Sequence, residues 1–323
     1  MLSYENLYLE SIIEPMPFFS VVIPLYNKEK FIENTLNSVL NQTFEDFEVI
    51  VINDGSTDTS EEKVLNFKDK RIQYISKVNE GVSIARNTGI EKAQSNFITF
   101  LDSDDVWLPS FLEEMHKTIA KYPEQRVFSA AYEIETSRSK IPAQYSIPKS
   151  KKPQFVNYFE ASSIESIIWT SCAAFHSSVF KEVGMFDPQI KISEDIDLWI
   201  RVGLKYQVVF NPKVLARYIY DDKSVSRGSE YIFEESSFNK YDPLEKTNPQ
   251  LKKFLDLNRF SVAIKNKLIG DHKNFEQISS QIDLRNLNFK KRILLKLPAF
   301  ALKKLIGLKS LLANIGLGNT VFR

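Results

Sequence analysis

With 323 residues, 43% of them hydrophobic, the chain can build one large core with an appendage, or two domains; low complexity and global disorder are excluded. Its 42 basic and 41 acidic side chains leave it nearly neutral, so a general nucleic-acid-binding role has no electrostatic support. Cys172 is the only cysteine, which removes an intrachain disulfide framework and a cysteine-based zinc site and fits a reduced, cytoplasmic setting.

In chain order, residues 1–17 read as an N-terminal extension. Glu5, Glu10 and Glu14 interrupt its apolar residues, so it lacks the charged and apolar regions of a signal peptide. FFSVVIPLY at 18–26 and FEVIVIND at 47–54 are short β-branched runs expected to be buried parallel strands. Between them Phe31, Leu36, Val39 and Leu40 share one side of a helix, and a second helix is expected from about Ser60. RIQYIS at 71–76, VSIARNTGIEKA and NFITFLD continue the strand–helix–strand alternation, which implies βαβ crossovers and an α/β, mostly parallel sheet flanked by helices. Pro109 opens a further helix, RVFSAAYEI near 126–134 is a strand, and 136–153 is an exposed loop. Residues 164–180 are apolar again, GMFDP at 184–188 is a turn, a helix opens at Glu194, and YQVVFNP at 206–212 is the last strand expected. Beyond Ser229 the pattern turns helical, with paired helices near 248–269 and 271–282 and a basic, apolar helix over 290–312 that Pro298 bends or breaks.

Four segments carry the chemistry on the donor side. IPLYN (23–27), NDGSTD (53–58) and LDSDD (101–105) each follow the carboxyl end of an expected parallel strand, the edge where open α/β sheets bind ligands, and NEGVSIARNTGI (79–90) supplies the fourth. Side chains alternate along a strand, so Asp102 and Asp104 are expected to project from one face and Ser103 from the other, and paired hard oxygens suit Mg²⁺ or Mn²⁺ holding a diphosphate. Taken alone, that acidic run is as readily a capping, solvated loop, and the Asp-Gly of NDGSTD is a common turn. Asp54 can accept an N–H from a base edge such as uracil or thymine, and Gly81 permits close backbone approach. Arg86 offers a planar fork for phosphate or for a carboxylate of the acidic run.

These segments, in this order and with EDIDLWIR at 194–201, resemble the family 2 glycosyltransferases of the GT-A fold over about residues 18–220. The resemblance implies a Rossmann-like GT-A domain over 18–225 and inverting transfer from a nucleotide-diphosphate sugar, UDP- or dTDP-linked by the Asp54 reading. It further implies that Pro24, Tyr26 and Asn27 line the base, that Asp54 bonds its edge, and that Gly81 lies at the donor. Arg86, Asp102 and Asp104 would form the diphosphate and Mn²⁺ or Mg²⁺ site, with Asp104 the closest ligand. Asp195 matches the family's catalytic base, and its place at a helix start is expected to keep it ionised at neutral pH; Glu194 beside it would help to position it. Trp169, Thr170 and Ser171 occupy the stretch where relatives shape the acceptor pocket. Trp199 is expected in the core and His176 to be structural.

A dehydrogenase is excluded because no GxGxxG follows the first strand; a nucleotidyltransferase would carry a Gly-rich, basic loop there. The alternative is a non-catalytic nucleotide-sugar-binding or scaffold protein with the same fold. The acceptor is expected to be a glycan or lipid-linked saccharide in cell-surface polysaccharide synthesis. Residues 226–323 are expected to form a helical region ending in a basic amphipathic tail over 285–323. Nine Lys or Arg and no acid follow Asp283, leaving 33 basic against 41 acidic residues upstream. Arg292, Lys296, Lys303 and Ser310 share one face and Leu294, Leu297, Ala301, Leu305, Leu308 and Leu312 the other, a pattern suited to an anionic membrane surface on the cytoplasmic face or to packing on the catalytic body.

Overall fold

The computed structural model describes residues 16–136, 139–220 and 236–314. Residues 1–15 of the expected extension, the expected boundary at 225/226, residues 315–323 of the tail, and the side chains of Leu308, Ser310 and Leu312 lie outside the described part. The amino-terminal half follows the expected alternation: β1 (Phe19–Leu25), α1 (Ile32–Leu40), β2 (Phe47–Asp54), α2 (Ser60–Leu65), β3 (Ile72–Lys77), α3 (Val82–Lys92) and β4 (Phe97–Phe100). Every residue of β1 is buried because it is covered on both sides. Phe19, Val21, Ile23 and Leu25 enter one core with α1, while Val22 enters the other. α3 crosses β1 so closely that a Cβ on Gly89 would stand 2.2 Å from Val22 Cγ1, which leaves room for glycine alone.

The chain continues through β5 (Val106–Trp107), α4 (Phe111–Lys121), β6 (Val127–Glu135), β7 (Lys140–Pro142), β8 (Gln154–Val156) and α5 (Tyr158–Ala161). It then forms β9 (Ala173–His176), α6 (Ser178–Val183), α7 (Glu194–Lys205) and β10 (Val208–Ile219). The sheet order is β3-β2-β1-β4-β9-β6-β10-β5, with β7 beside β6 and β8 beside β10. Strands β3, β2, β1 and β4 are mutually parallel; β9 runs antiparallel between β4 and β6, and β10 returns parallel to β6. Successive strands pass to opposite sides of β1, so a switch point opens at its carboxyl end, where a ligand crevice is expected.

Three local expectations change. β10 continues to Ile219 rather than stopping near Pro212, because register shifts between Asn211 and Val214 and between Val214 and Ala216 absorb the proline. The stretch 136–153 contains β7, whose three residues pair with β6. The acidic run is a turn rather than a strand: β4 ends at Phe100, and Asp105 N–H closes on Asp102 O at 2.9 Å.

The carboxyl-terminal region is α8 (Ser236–Asn239), α9 (Asp242–Glu245), α10 (Pro249–Ile269), α11 (His272–Ser280), α12 (Phe289–Lys296) and α13 (Ala299–Asn314). Asn248 caps α10 by accepting from Leu251 N, Pro249 occupies its first turn, and left-handed Gly270 ends it. Leu251, Phe254 and Leu255 of α10 join the core that holds α7 and β9, with the Phe254 ring 5.2 Å from that of Tyr158. Extended Leu297 before Pro298 separates α12 from α13. Leu295 and Leu302 bury themselves on the body, while Phe289, Ile293, Phe300, Leu305 and Ile306 remain exposed.

Candidate active site

A cleft of about 960 Å³ opens at the switch point. One side gathers the ends of β1, β2 and β4 and the start of α3: Pro24, Tyr26, Lys28, Asp54, Gly81, Arg86 and residues 102–105 all line it. Asp195 and Glu194, at the start of α7, line the other side. Segments separated by more than 90 residues therefore share one cavity, and the arrangement rests on buried hydrogen bonds.

Arg86 is the bridge. Only 5% exposed, it donates from Nη1 to Glu194 Oε1 at 2.7 Å and from Nη2 to Asp102 Oδ1 at 2.8 Å, and its guanidinium lies 5.1 Å from the Phe186 ring. Of the two partners open to it in the sequence, phosphate or carboxylate, the fork holds carboxylates on both sides of the cleft. Burial opposes its charge, but Asp102, Glu194 and Asp195 more than offset that, so its pKa rises and it stays a cation.

The turn carrying Asp102 and Asp104 is anchored from below. Thr35 Oγ1 donates to the carbonyls of Ser103 and Asp105, Asp102 N–H donates to Ser171 Oγ, and that hydroxyl donates to Asp105 Oδ2 at 2.6 Å. Asp105 is buried, and burial together with Asp104 and Asp102 raises its pKa well above the ordinary carboxylate range. Asp102 and Asp104 keep 28% and 18% of their side chains exposed, facing the cleft. Lys28 Nζ sits 2.5 Å from Asp104 Oδ2.

Asp54 is 3% exposed and already engaged: Oδ1 accepts from Lys77 Nζ and Glu80 N–H, and Oδ2 from Gly81 N–H at 2.8 Å. One acceptor position on Oδ2 is left for a ligand N–H. Gly81 holds φ 97°, a conformation that favours glycine, and so delivers its N–H to Asp54. Asn27 departs from expectation and does not line the cleft. In a left-handed conformation, φ 51°, it turns its carboxamide to accept from Thr57 N–H at 2.8 Å and ties the loop after β1 to the loop after β2.

On the far side, Ser193 is the other described non-glycine residue with positive φ, at 63°; it precedes Glu194 and Asp195. Both departures from ordinary backbone geometry thus flank the cleft. Asp195 Oδ1 accepts its neighbour's N–H, Ile196 N, at 2.8 Å. Burial and the Glu194 charge raise its pKa to about 7 and outweigh Arg86 and the Ile196 N–H, so the expectation that the helix start alone keeps it ionised at neutral pH does not hold.

Trp169 and Thr170 line the cleft, with Trp169 packed 4.4 Å from Tyr132 and 5.8 Å from Tyr218. Ser171 does not; it is the buried post under the acidic turn. Trp199 is 1% exposed and stacks 4.9 Å from Phe175 in the core, although its edge also borders the cleft. His176 stays outside the cleft, with Nδ1 2.9 Å from Ser178 Oγ; burial, Arg126 and Lys181 lower its pKa. Residues not anticipated from the sequence are Lys28, Tyr132, Tyr158, Tyr218, Tyr220, Phe254 and Asn258, all bordering the cleft. Lys28, one residue past IPLYN, was within reach of that motif; Phe254 and Asn258 belong to a distant helix and carried no signal.

The profile of Glycosyl transferase family 2 matches residues 20–184, just over half of the chain. An uncharacterized glycosyltransferase of Rickettsia bellii is 38% identical over 193 residues, covering 57% of this chain and 26% of that protein. Uncharacterized glycosyltransferase RP339 of Rickettsia prowazekii is 30% identical over 204 residues, covering 62% and 63%. The chain therefore spans less than two thirds of the length of these relatives. S. aureus TarS 1–349, solved in complex with UDP-GlcNAc, shares the fold with a TM-score of 0.56 at 19% identity, over 81% of this chain and 90% of that one.

Proposed function

Because the chain belongs to glycosyl transferase family 2, we propose that the cleft transfers a sugar, with inversion, from a nucleotide-diphosphate sugar to an acceptor hydroxyl. The observation that supports this reading is the Arg86 bridge, which ties the two-carboxylate turn to the helix start that carries Asp195 within one cavity. Inversion needs a diphosphate site and a base for the acceptor in the same cavity, since the acceptor attacks from behind the bond to the departing diphosphate.

In this reading the donor base lies near Pro24 and Tyr26, and Asp54 Oδ2 takes an N–H from a uracil or thymine edge. Asp195 accepts the acceptor's hydroxyl proton as its oxygen bonds to the anomeric carbon, and the bond to the diphosphate breaks. Glu194, with Arg86, sets the charge around that base. Asp102 and Asp104 present hard oxygens to the donor side. Among the described residues no group of three His, Cys, Asp or Glu can hold a metal. Two carboxylates fit Mn²⁺ or Mg²⁺ nevertheless, because such ions are often bound through one or two carboxylates and substrate phosphates. When bound, the ion would neutralise charge on the leaving diphosphate. Turnover of radiolabelled nucleotide sugars, screened as a panel, tests the reading. Transfer or hydrolysis by the wild type and not by Asp195→Asn supports it, whereas donor binding with equal, absent turnover in both points to the scaffold alternative.

The same reading extends to where the reaction occurs. Phe289, Ile293, Phe300, Leu305 and Ile306 are exposed on α12 and α13 among Lys290, Arg292, Lys296, Lys303 and Lys304, with no acid after Asp283. Leu295 and Leu302 meanwhile are buried, so the tail packs on the body through some side chains and leaves others open. No described helix is long and apolar enough to cross a membrane. The exposed basic and aromatic face fits the cytoplasmic surface of an anionic bilayer and a lipid-linked saccharide acceptor in cell-surface polysaccharide synthesis. Flotation with anionic and neutral vesicles tests this in the full chain: Phe289→Ser combined with Phe300→Ser should lose binding to the anionic ones, and unchanged flotation would remove the idea.

A further inference from the structure

The donor side of the cleft contains two cations among the described residues, Arg86 and Lys28. Arg86 is committed, with both Nη groups locked on Asp102 and Glu194. Lys28 is placed differently. Its backbone N–H is pinned to Ser60 Oγ at 2.8 Å, yet its side chain is 21% exposed and its ammonium has one carboxylate partner, Asp104 Oδ2. A lysine ammonium is a compact point charge on a flexible stem, so it can leave one anion for another without rearranging the backbone. Asp104 is also the carboxylate that the family resemblance makes the closest ligand of a divalent ion, and a divalent ion and an ammonium held on one carboxylate repel each other, so each weakens the other's binding.

We propose that Lys28 is a resident cation of the donor site. It neutralises Asp104 while no divalent ion is bound, competes with that ion for the carboxylate, and on displacement pairs with the donor's diphosphate. The inference rests on the donor-site reading above and deepens it: the incoming diphosphate meets two positive charges, one arriving with the ion and one released by it. The loop after β1 would thereby report on the state of the turn after β4, joining two motifs that are 76 residues apart in the chain.

Calorimetric titration of the full chain with Mn²⁺ alone, and then with UDP at saturating Mn²⁺, tests this without any turnover. Lys28→Met should bind Mn²⁺ about tenfold more tightly than the wild type, the size expected for losing one close charge pair, and should bind UDP more weakly. Lys28→Arg keeps the charge and should restore the weaker Mn²⁺ affinity, which separates competition from loss of fold. Equal or weaker Mn²⁺ binding by Lys28→Met, with Asp104→Asn abolishing it, would overturn the role of Lys28 and leave the donor site standing. Equal Mn²⁺ binding by the wild type and Asp104→Asn would overturn both.

Discussion

The two sides of the cleft are built on different principles. The side proposed for the donor is local and modular: β1, β2 and β4 each end in a short polar motif, and parallel pairing brings those ends together with β1 between β2 and β4. The side proposed for the acceptor is assembled over long range. Trp169 leads into β9, Asp195 lies in the first turn of α7, Tyr218 lies near the end of β10 and Phe254 comes from α10, a helix beyond the α/β unit. The edge proposed to bind the donor is encoded by the sheet itself, while the wall proposed to face the acceptor is encoded by whatever packs against it.

Asp195→Asn breaks the comparison most sharply. If the acceptor side supplies the base and the donor side supplies binding, kcat should fall by about 10³-fold, within the range for a lost general base, while UDP affinity stays the same. Weaker UDP binding of similar size would mean that the two sides are not separable. Arg86→Met attacks the ion-pair bridge between them. It leaves Asp102 and Glu194 uncompensated beside a buried gap, so stability should fall by about 4 kcal/mol, read from the urea midpoint at constant m-value.

Legibility follows the same division. Strands β1 to β4, their helices and the residues Pro24, Asp54, Gly81, Arg86, Asp102, Asp104, Glu194 and Asp195 were readable, because each sits in a short motif tied to a strand end or a helix start. The geometry inside those motifs was less readable. Strand alternation suggested a common face for Asp102 and Asp104, whereas a turn held by Thr35 and Ser171 brings them to the cleft. Asn27 was assigned to the base by its motif but is spent on Thr57. Trp169 was named from its stretch, but Tyr218 was hidden because a proline normally ends a strand, and the bulges that carry β10 past Pro212 are a tertiary property. β5, with two residues, is too short to show any period.

Phe254→Ala sharpens the comparison from the acceptor side. Phe254 is 4% exposed and packs on Tyr158 and Phe159, so α10 should act as part of the body rather than as an appendage. Truncation should cost about 3 kcal/mol within one unfolding transition. A separate, earlier transition for the carboxyl-terminal helices would show instead that the wall folds on its own.

The smallest expected effect is a shift in a pH profile, and it asks whether the base is tuned by its own side of the cleft. Asp195 must be ionised to accept a proton, and its pKa lies at about 7. Therefore kcat/KM should rise about tenfold per pH unit below that value and level off above it. Burial is the largest cause of the elevation and persists in any variant that keeps the fold; the Glu194 charge comes next. Glu194→Gln removes that like charge and also leaves more of the Arg86 charge to favour the Asp195 anion, so both changes move the rising limb to lower pH. A limb that stays in place in Glu194→Gln and vanishes in Asp195→Asn would assign the tuning to burial alone, and a limb that persists in Asp195→Asn would move the base elsewhere.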